Sequence, residues 1–270
     1  MYIVKSLVQQ MSGEISVESK LGQGSRFIIT LPLETVVSGH SPNQESSSEE
    51  LTDLPGYRIL LAEAVGCGVD DFIFGEQKHT THVEVVTRAQ RGRGGREKAT
   101  RLPSTDALIT RETGVCLMVL AADCVPVLMY DPRMRVIAAV HAGWRGTVGR
   151  IAAKTVERMR EEFGCDPRDM IVGIGPSIGP CCFEVGEEVV EAALEGLGDL
   201  KGLVETGKHP GKYQLNLWEA NCRQLRQVGV EDARIEVAGI CTVCHHDQFF
   251  SYRGDRGNTG RFGAGIMLNI

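Results

Sequence analysis

The stretch richest in reactive side chains is Ala121-Ala122-Asp123-Cys124, which closes one apolar run and is followed 17 residues later by His141, closing another. His79, in Gln77-Lys78-His79, stands just ahead of a third run that starts at Val83. One thiolate and two imidazoles suit zinc, and three ligands leave a position open for water, whose pKa the metal lowers toward neutrality. The same types also occur as a buried thiol and as histidines bonded to backbone carbonyls. Cys124 with His141 is also the composition of a cysteine nucleophile and its base, as in a hydrolase or amidase. Asp123, beside Cys124, has two readings: a group that orients a histidine or takes a proton, or a turn residue.

These side chains meet only if the elements carrying them converge. The pattern predicts strands at Val83 to Thr87, Val115 to Ala121, Val125 to Tyr130, Val136 to Val140, Ile171 to Ile174, Ile235 to Ile240 and Gly265 to Leu268. Asp131-Pro132-Arg133 joins two of them as a hairpin, and spacing alone leaves open whether Cys124 and His141 meet. Thr147 is placed to cap a helix with apolar positions Val148, Ile151, Ala152, Val156, Met159 and Phe163, closed by Gly164 and Pro167. Asn216 with Glu219 forms a capping-box-like start to a helix over Leu217 to Val228. Alternating strands and helices argue for a mixed α/β domain.

Composition divides the 270 residues into three parts: 1–34, a linker at 35–56 with five serines, Pro42 and Pro55, and a domain at 57–270. The linker is expected to be disordered. Thirty-five acids against 29 bases give a net charge of −6, so no global electrostatic attraction to nucleic acid or an anionic membrane is expected. The apolar stretch Val115 to Ala122 is eight residues long, against roughly 20 for a bilayer span. The start of the chain lacks the pattern of a secretory signal, and nine cysteines, an odd number, argue against a disulfide framework; the expected location is the cytoplasm. Arg88 to Arg101, with six basic residues and three glycines, reads as a mobile surface loop.

Three long motifs carry a resemblance: Ala122-Asp123-Cys124-Val125-Pro126-Val127, His141-Ala142-Gly143-Trp144-Arg145-Gly146-Thr147, and Ile174-Gly175-Pro176-Ser177-Ile178-Gly179-Pro180-Cys181-Cys182-Phe183-Glu184-Val185. With Ser251-Tyr252-Arg253 and Thr259-Gly260-Arg261, residues 57–270 resemble the YfiH/YlmD family, also called the laccase-domain or multicopper polyphenol oxidase family. The resemblance implies a layered α/β/β/α sandwich with mixed sheets, similar to the catalytic domain of cytotoxic necrotizing factor. It implies zinc ligands His79, Cys124 and His141, which are also the catalytic set, with copper as a second metal. The implied activity is phosphorolysis of adenosine, inosine and S-methyl-5'-thioadenosine, with adenosine deamination alongside. Phosphorolysis needs a held phosphate, and arginine's planar donors match phosphate oxygens in pairs. Arg58, Arg145 and Arg253 are the candidates, with Asp123 the remaining substrate-side residue. Arg145 is expected to precede a helix whose free N–H groups add to anion binding. The resemblance also implies about 50 residues at the start, with a Gly-Gly-Ser-rich segment and a Ser-Leu-Asn-Leu-like strand, where this chain has residues 1–34 and the linker. Cell-wall precursor editing by a Cys124/His141 hydrolase and copper-dependent phenol oxidation are the alternatives, although a multicopper site needs more histidines than the seven present.

Residues 1–34 resemble the C-terminal end of a sensor histidine kinase ATPase domain, without its phosphoacceptor histidine or magnesium-binding asparagine. Kinase activity does not follow, and the residues specify no partner for this tail. Cys241-Thr242-Val243-Cys244 is half of a structural zinc motif; with no second CxxC it reads as a strand end with buried or reactive thiols. The glycines between Gly173 and Gly179 have the wrong spacing for a dinucleotide loop, and Pro176 and Pro180 interrupt the helix it needs.

Overall fold

The structure is a computed structural model that describes residues 14–20, 24–30 and 68–268. The chain divides into two compact units, Met1–Val69 and Asp70–Ile270. In the first, where the residue pattern predicts strands at Glu14 to Ser19 and Arg26 to Leu31, β1 (Glu14–Lys20) and β2 (Gly24–Thr30) pair antiparallel. The residue pattern also predicts a short helix at Ile3 to Met11, which lies, with the linker and Arg58, outside the described residues.

The second unit runs β3 (Phe72–Phe74), β4 (Val83–Val85), β5 (Ala107–Thr110), β6 (Cys116–Ala121), β7 (Val125–Asp131) and β8 (Val136–Ala142). Helices α1 (Trp144–Val148) and α2 (Ile151–Phe163) follow, then β9 (Ile171–Ile174), β10 (Glu184–Val185), α3 (Glu187–Leu197), β11 (Val204–Thr206), β12 (Tyr213–Leu215), α4 (Leu217–Gln227), β13 (Ile235–Val237) and β14 (Phe262–Met267). A six-stranded mixed sheet has the order β13-β9-β7-β8-β5-β4, and two three-stranded sheets have the orders β14-β6-β3 and β10-β12-β11. The architecture is mixed α/β, as the residue pattern requires.

Side-chain alternation assigns the two faces of the large sheet. Val136, Ala138, Val140 and Ala142 of β8, with Ala107 and Ile109 of β5, join α2 and α4 in one core. Ile137 and Ala139, with Leu108, face the other way against Leu117 and Val119 of β6. A strand buried on both faces reads as an unbroken apolar run, and every residue of β8 is buried. The described residues thus supply helices, a six-stranded sheet and a second sheet in layers. Among them no helix is long and apolar enough to cross a membrane.

Two local expectations differ from what forms. Thr147 lies inside the five-residue α1, its hydroxyl bonded to the Ala142 carbonyl, and does not cap α2. The chain breaks at Gly149 and Arg150, which takes a left-handed φ of 65°, before α2 begins. Arg145 therefore lies within a short helix instead of ahead of a long one. Arg88 to Arg101 is a series of short turns, held where Gly92 N–H donates to Phe72 O and Phe74 N–H to Arg93 O. Two of its cations are paired, Arg96 with Asp70 and Arg91 with Asp71.

Candidate metal centre

Register brings the cysteine and histidines together. In the β7–β8 hairpin Pro126 stands opposite His141 and Val125 opposite Ala142, so Cys124, just before β7, lies beside the end of β8. His141 shares the parity of Ile137 and Ala139 and so faces the second sheet. His79 arrives on the loop after β3, which Gln77 pins to β6: its amide donates to Leu120 O at 2.7 Å and accepts from Leu120 N at 2.8 Å. The two imidazoles meet edge to face with centroids 5.0 Å apart, and Cys124 Sγ lies 3.7 Å from His79 Nε2. Ligand atoms of His79, Cys124 and His141 all fall within 4.8 Å of one another.

The group that orders them is Asp106, which sequence reasoning missed. Ala107 pairs with Val140, so the residue before β5 falls beside His141, whose N–H donates to Asp106 O at 2.8 Å. Oδ1 of Asp106 lies 2.9 Å from His141 Nδ1 and accepts the His79 N–H at 3.0 Å. Oδ2 accepts N–H from Lys78 at 3.1 Å and Thr80 at 2.8 Å, and the Thr80 hydroxyl at 2.8 Å. Three successive N–H groups aimed at one carboxylate form an anion nest, which offsets the left-handed φ of 60° at His79. A carboxylate that accepts from His141 Nδ1 fixes the tautomer whose Nε2 is free for a metal. Asp106 is 1 % exposed and His141 3 %, while His79 is exposed, so the site has a dry floor and an open mouth.

The charges are mutually dependent. Burial alone would raise the Asp106 carboxyl, but bonds from His141 and Thr80 outweigh it and hold the group down at about 2. Burial likewise opposes the Cys124 thiolate, yet the His141 charge and bonds from both histidines bring the thiol down to about 6. His141, which burial would discharge, is lifted to about 9 by the Cys124 thiolate and Asp106. The proton that His141 keeps beside the Cys124 thiolate can be exchanged for a cation. Gly143 completes the steric frame: a Cβ there would sit 2.7 Å from His79 Cδ2 and 3.2 Å from Cys124 Sγ. The donor set, one thiolate and two imidazoles with an outer carboxylate, fits zinc.

Asp123 does not touch the histidines. Its Oδ1 accepts the Thr242 and Ser251 hydroxyls, each at 2.7 Å, and its Oδ2 accepts the Arg253 N–H at 2.6 Å. At a φ of 85° it fastens the segment from 242 to 253 next to Cys124. The Arg253 guanidinium donates to Glu184 O at 3.1 Å, and Arg145 stacks on Trp144 with its guanidinium carbon 4.3 Å from the ring centroid. Arg145 is exposed and lies two residues after Gly143, which borders His79.

An α/β protein in which two sheets meet at a Cys–His–His set backed by a carboxylate is thus defined by fold and site together. Residues 47–269 match the family described as multi-copper polyphenol oxidoreductase laccase, and the chain belongs to that family. It is 40% identical over 223 residues to a purine nucleoside phosphorylase of Bacteroides thetaiotaomicron, covering 83% of each chain. It is 39% identical over 209 residues to adenosine deaminase RL5 from an unknown prokaryotic organism, covering 77% of this chain and 79% of that one. The crystal structure of YfiH from Bacillus licheniformis superposes with a TM-score of 0.77 at 35% identity, covering 80% of each chain. The match begins ten residues ahead of Tyr57 and leaves 1–46, which include the kinase-like segment, outside it.

Proposed function

We propose that this chain is a zinc-dependent purine nucleoside phosphorylase that also deaminates adenosine, with the metal held by His79, Cys124 and His141. The observation that carries this reading is the convergence of those three side chains on one another, with His141 held by Asp106, in a chain whose relatives bear these activities by name. Zinc bound there would supply a Lewis acid for the nucleoside or for the attacking oxygen. Asp106 orients His141 through Nδ1 and holds the His79 backbone, so both rings are placed before substrate arrives. In phosphorolysis a phosphate oxygen attacks the anomeric carbon, the C–N bond breaks, and free base and ribose 1-phosphate leave. Arg145, Arg253 and Arg58 are our candidates for the phosphate clamp, and Asp123 sets the position of Arg253 through its N–H. In deamination water replaces the amine of adenosine, giving inosine and ammonia. Substrates of this kind are small molecules, and we place the activity in a reducing cytoplasm.

His79→Ala, Cys124→Ser and His141→Ala should each lose one bound zinc together with nucleoside turnover. Full turnover in a variant shown to lack that metal would refute the proposal. One observation favours a second reading: the metal-free site, with a thiolate beside an imidazolium held by a carboxylate, is also the arrangement of a cysteine hydrolase. Chelation separates the two, since it abolishes zinc-dependent turnover and leaves a cysteine nucleophile active. Copper in the same ligands, with phenol oxidation, remains our third reading and predicts colour and turnover only after copper loading.

A further inference from the structure

The half-motif Cys241-Thr242-Val243-Cys244 meets its second half in space. The turn after β9 carries Cys181 and Cys182 to it, with Cys244 Sγ 3.7 Å from Cys181 Sγ and 3.5 Å from Cys182 Sγ. All four sulfurs lie within 4.8 Å of one another. A tetrahedral zinc with bonds of about 2.3 Å separates its sulfurs by about 3.8 Å, so the set needs little adjustment to close on an ion. We propose that Cys181, Cys182, Cys241 and Cys244 form a structural zinc site, distinct from the His79–Cys124–His141 centre.

Three further features build this site. The two ligand segments are sewn together by backbone: Ser177 N–H donates to Ile240 O at 3.2 Å and Thr242 N–H to Ser177 O at 3.1 Å. The Cys241 sulfur accepts the Gly179 N–H at 3.3 Å and is approached by the N–H groups of Val243 and Cys244, the donor pattern that orients a metal-bound thiolate. Gly179 permits this approach, because a Cβ there would fall 3.1 Å from Cys241 Cβ and 2.8 Å from the Trp218 ring. Four thiols release their protons to solvent as Zn²⁺ binds, leaving a site of net charge −2; Lys208 Nζ donates to the Cys181 carbonyl at 3.0 Å beside it. Both ligand segments also fasten to Asp123: Ile178 N–H donates to its carbonyl at 2.9 Å and Thr242 to its carboxylate. The ion would therefore clamp the two segments that buttress the residue before Cys124.

Differential alkylation of the full chain tests this directly. Reduced wild-type protein is loaded with zinc or stripped by a chelator, pulsed with iodoacetamide, and mapped by peptide mass. We expect Cys181 and Cys244, both exposed, to be alkylated at least tenfold more slowly with zinc. Cys181→Ser/Cys182→Ser should hold one zinc fewer than wild type, while His79→Ala keeps the alkylation protection. Equal alkylation with and without zinc would overturn the proposal, even if the double variant fails to fold. Because protection is read at these cysteines, failure of the nucleoside reading leaves the outcome unaffected.

Discussion

Replacing Asp106 with Asn isolates the group that organises the candidate centre while keeping its shape. The amide has one acceptor oxygen where the carboxylate has two. If that oxygen takes the place of Oδ1, the bonds to His141 Nδ1 and the His79 N–H survive, and the NH₂ group faces the N–H groups of Lys78 and Thr80. Two donors then lack an acceptor, at about 1–3 kcal/mol each, while the Thr80 hydroxyl keeps its bond to Ser104 O. With a total cost of about 2–6 kcal/mol, the melting temperature of a domain of this size falls by roughly 4–24 °C. If the amide takes the opposite orientation, its NH₂ faces His141 Nδ1 and selects the tautomer with a proton on Nε2, the atom a metal needs. Either way the negative charge behind His141 is lost, and zinc affinity should fall about 10- to 100-fold. Competition against a zinc chelator of known affinity reads the second effect, and differential scanning calorimetry the first. An Asp106→Asn protein with wild-type zinc affinity and melting temperature would refute the role assigned to this carboxylate.

Gly143→Ala should lower zinc affinity at least tenfold with little change in melting temperature, since the new Cβ displaces the exposed His79 side chain; unchanged affinity in a chelator titration would count against the geometry. In metal-free protein the rate of Cys124 alkylation should rise with pH around a midpoint near 6, because the thiolate forms above that value, and His141→Ala should move the midpoint upward; a midpoint near 8.5 in both proteins contradicts the pairing. Asp106, depressed to about 2 against an ordinary 3.8, contributes stability that is complete above the ordinary value and lost as pH falls through the lower one. Acid unfolding of wild type should therefore steepen between about pH 4 and 2 relative to Asp106→Asn, as circular dichroism would show. Asp123→Ala strands the Arg253 N–H and two hydroxyls and puts alanine at a φ of 85°, for a cost of about 3–5 kcal/mol. Hydrogen exchange should then rise across residues 242–253.

The residues with chemistry were legible because their types are rare in apolar surroundings: His79, Cys124 and His141 each mark the edge of an apolar run. Their meeting was not, because it depends on the hairpin register that pairs Pro126 with His141. Asp106 escaped notice for a related reason. It reads as an ordinary turn acid before Ala107, and only the β5–β8 pairing reveals that it faces His141. Strands β3 and β10 to β12 have two or three residues, too few for alternation to show. Cys181-Cys182 lacks CxxC spacing, so its pairing with Cys244 appears only when the turn after β9 is folded onto the 241–244 segment. Long periodic elements, β7, β8, α2 and α4, matched the residue pattern closely, apart from the break at Gly149 and Arg150.

The most direct test of the central claim is chromatography with mass detection on adenosine incubated with purified protein, with and without phosphate, for wild type and His141→Ala, alongside zinc content. The account predicts adenine and ribose 1-phosphate only when phosphate is present, and inosine without it, from wild type alone, with His141→Ala one zinc poorer and silent. A folded wild-type chain that carries zinc on His79, Cys124 and His141 yet leaves adenosine unchanged under both conditions would contradict it.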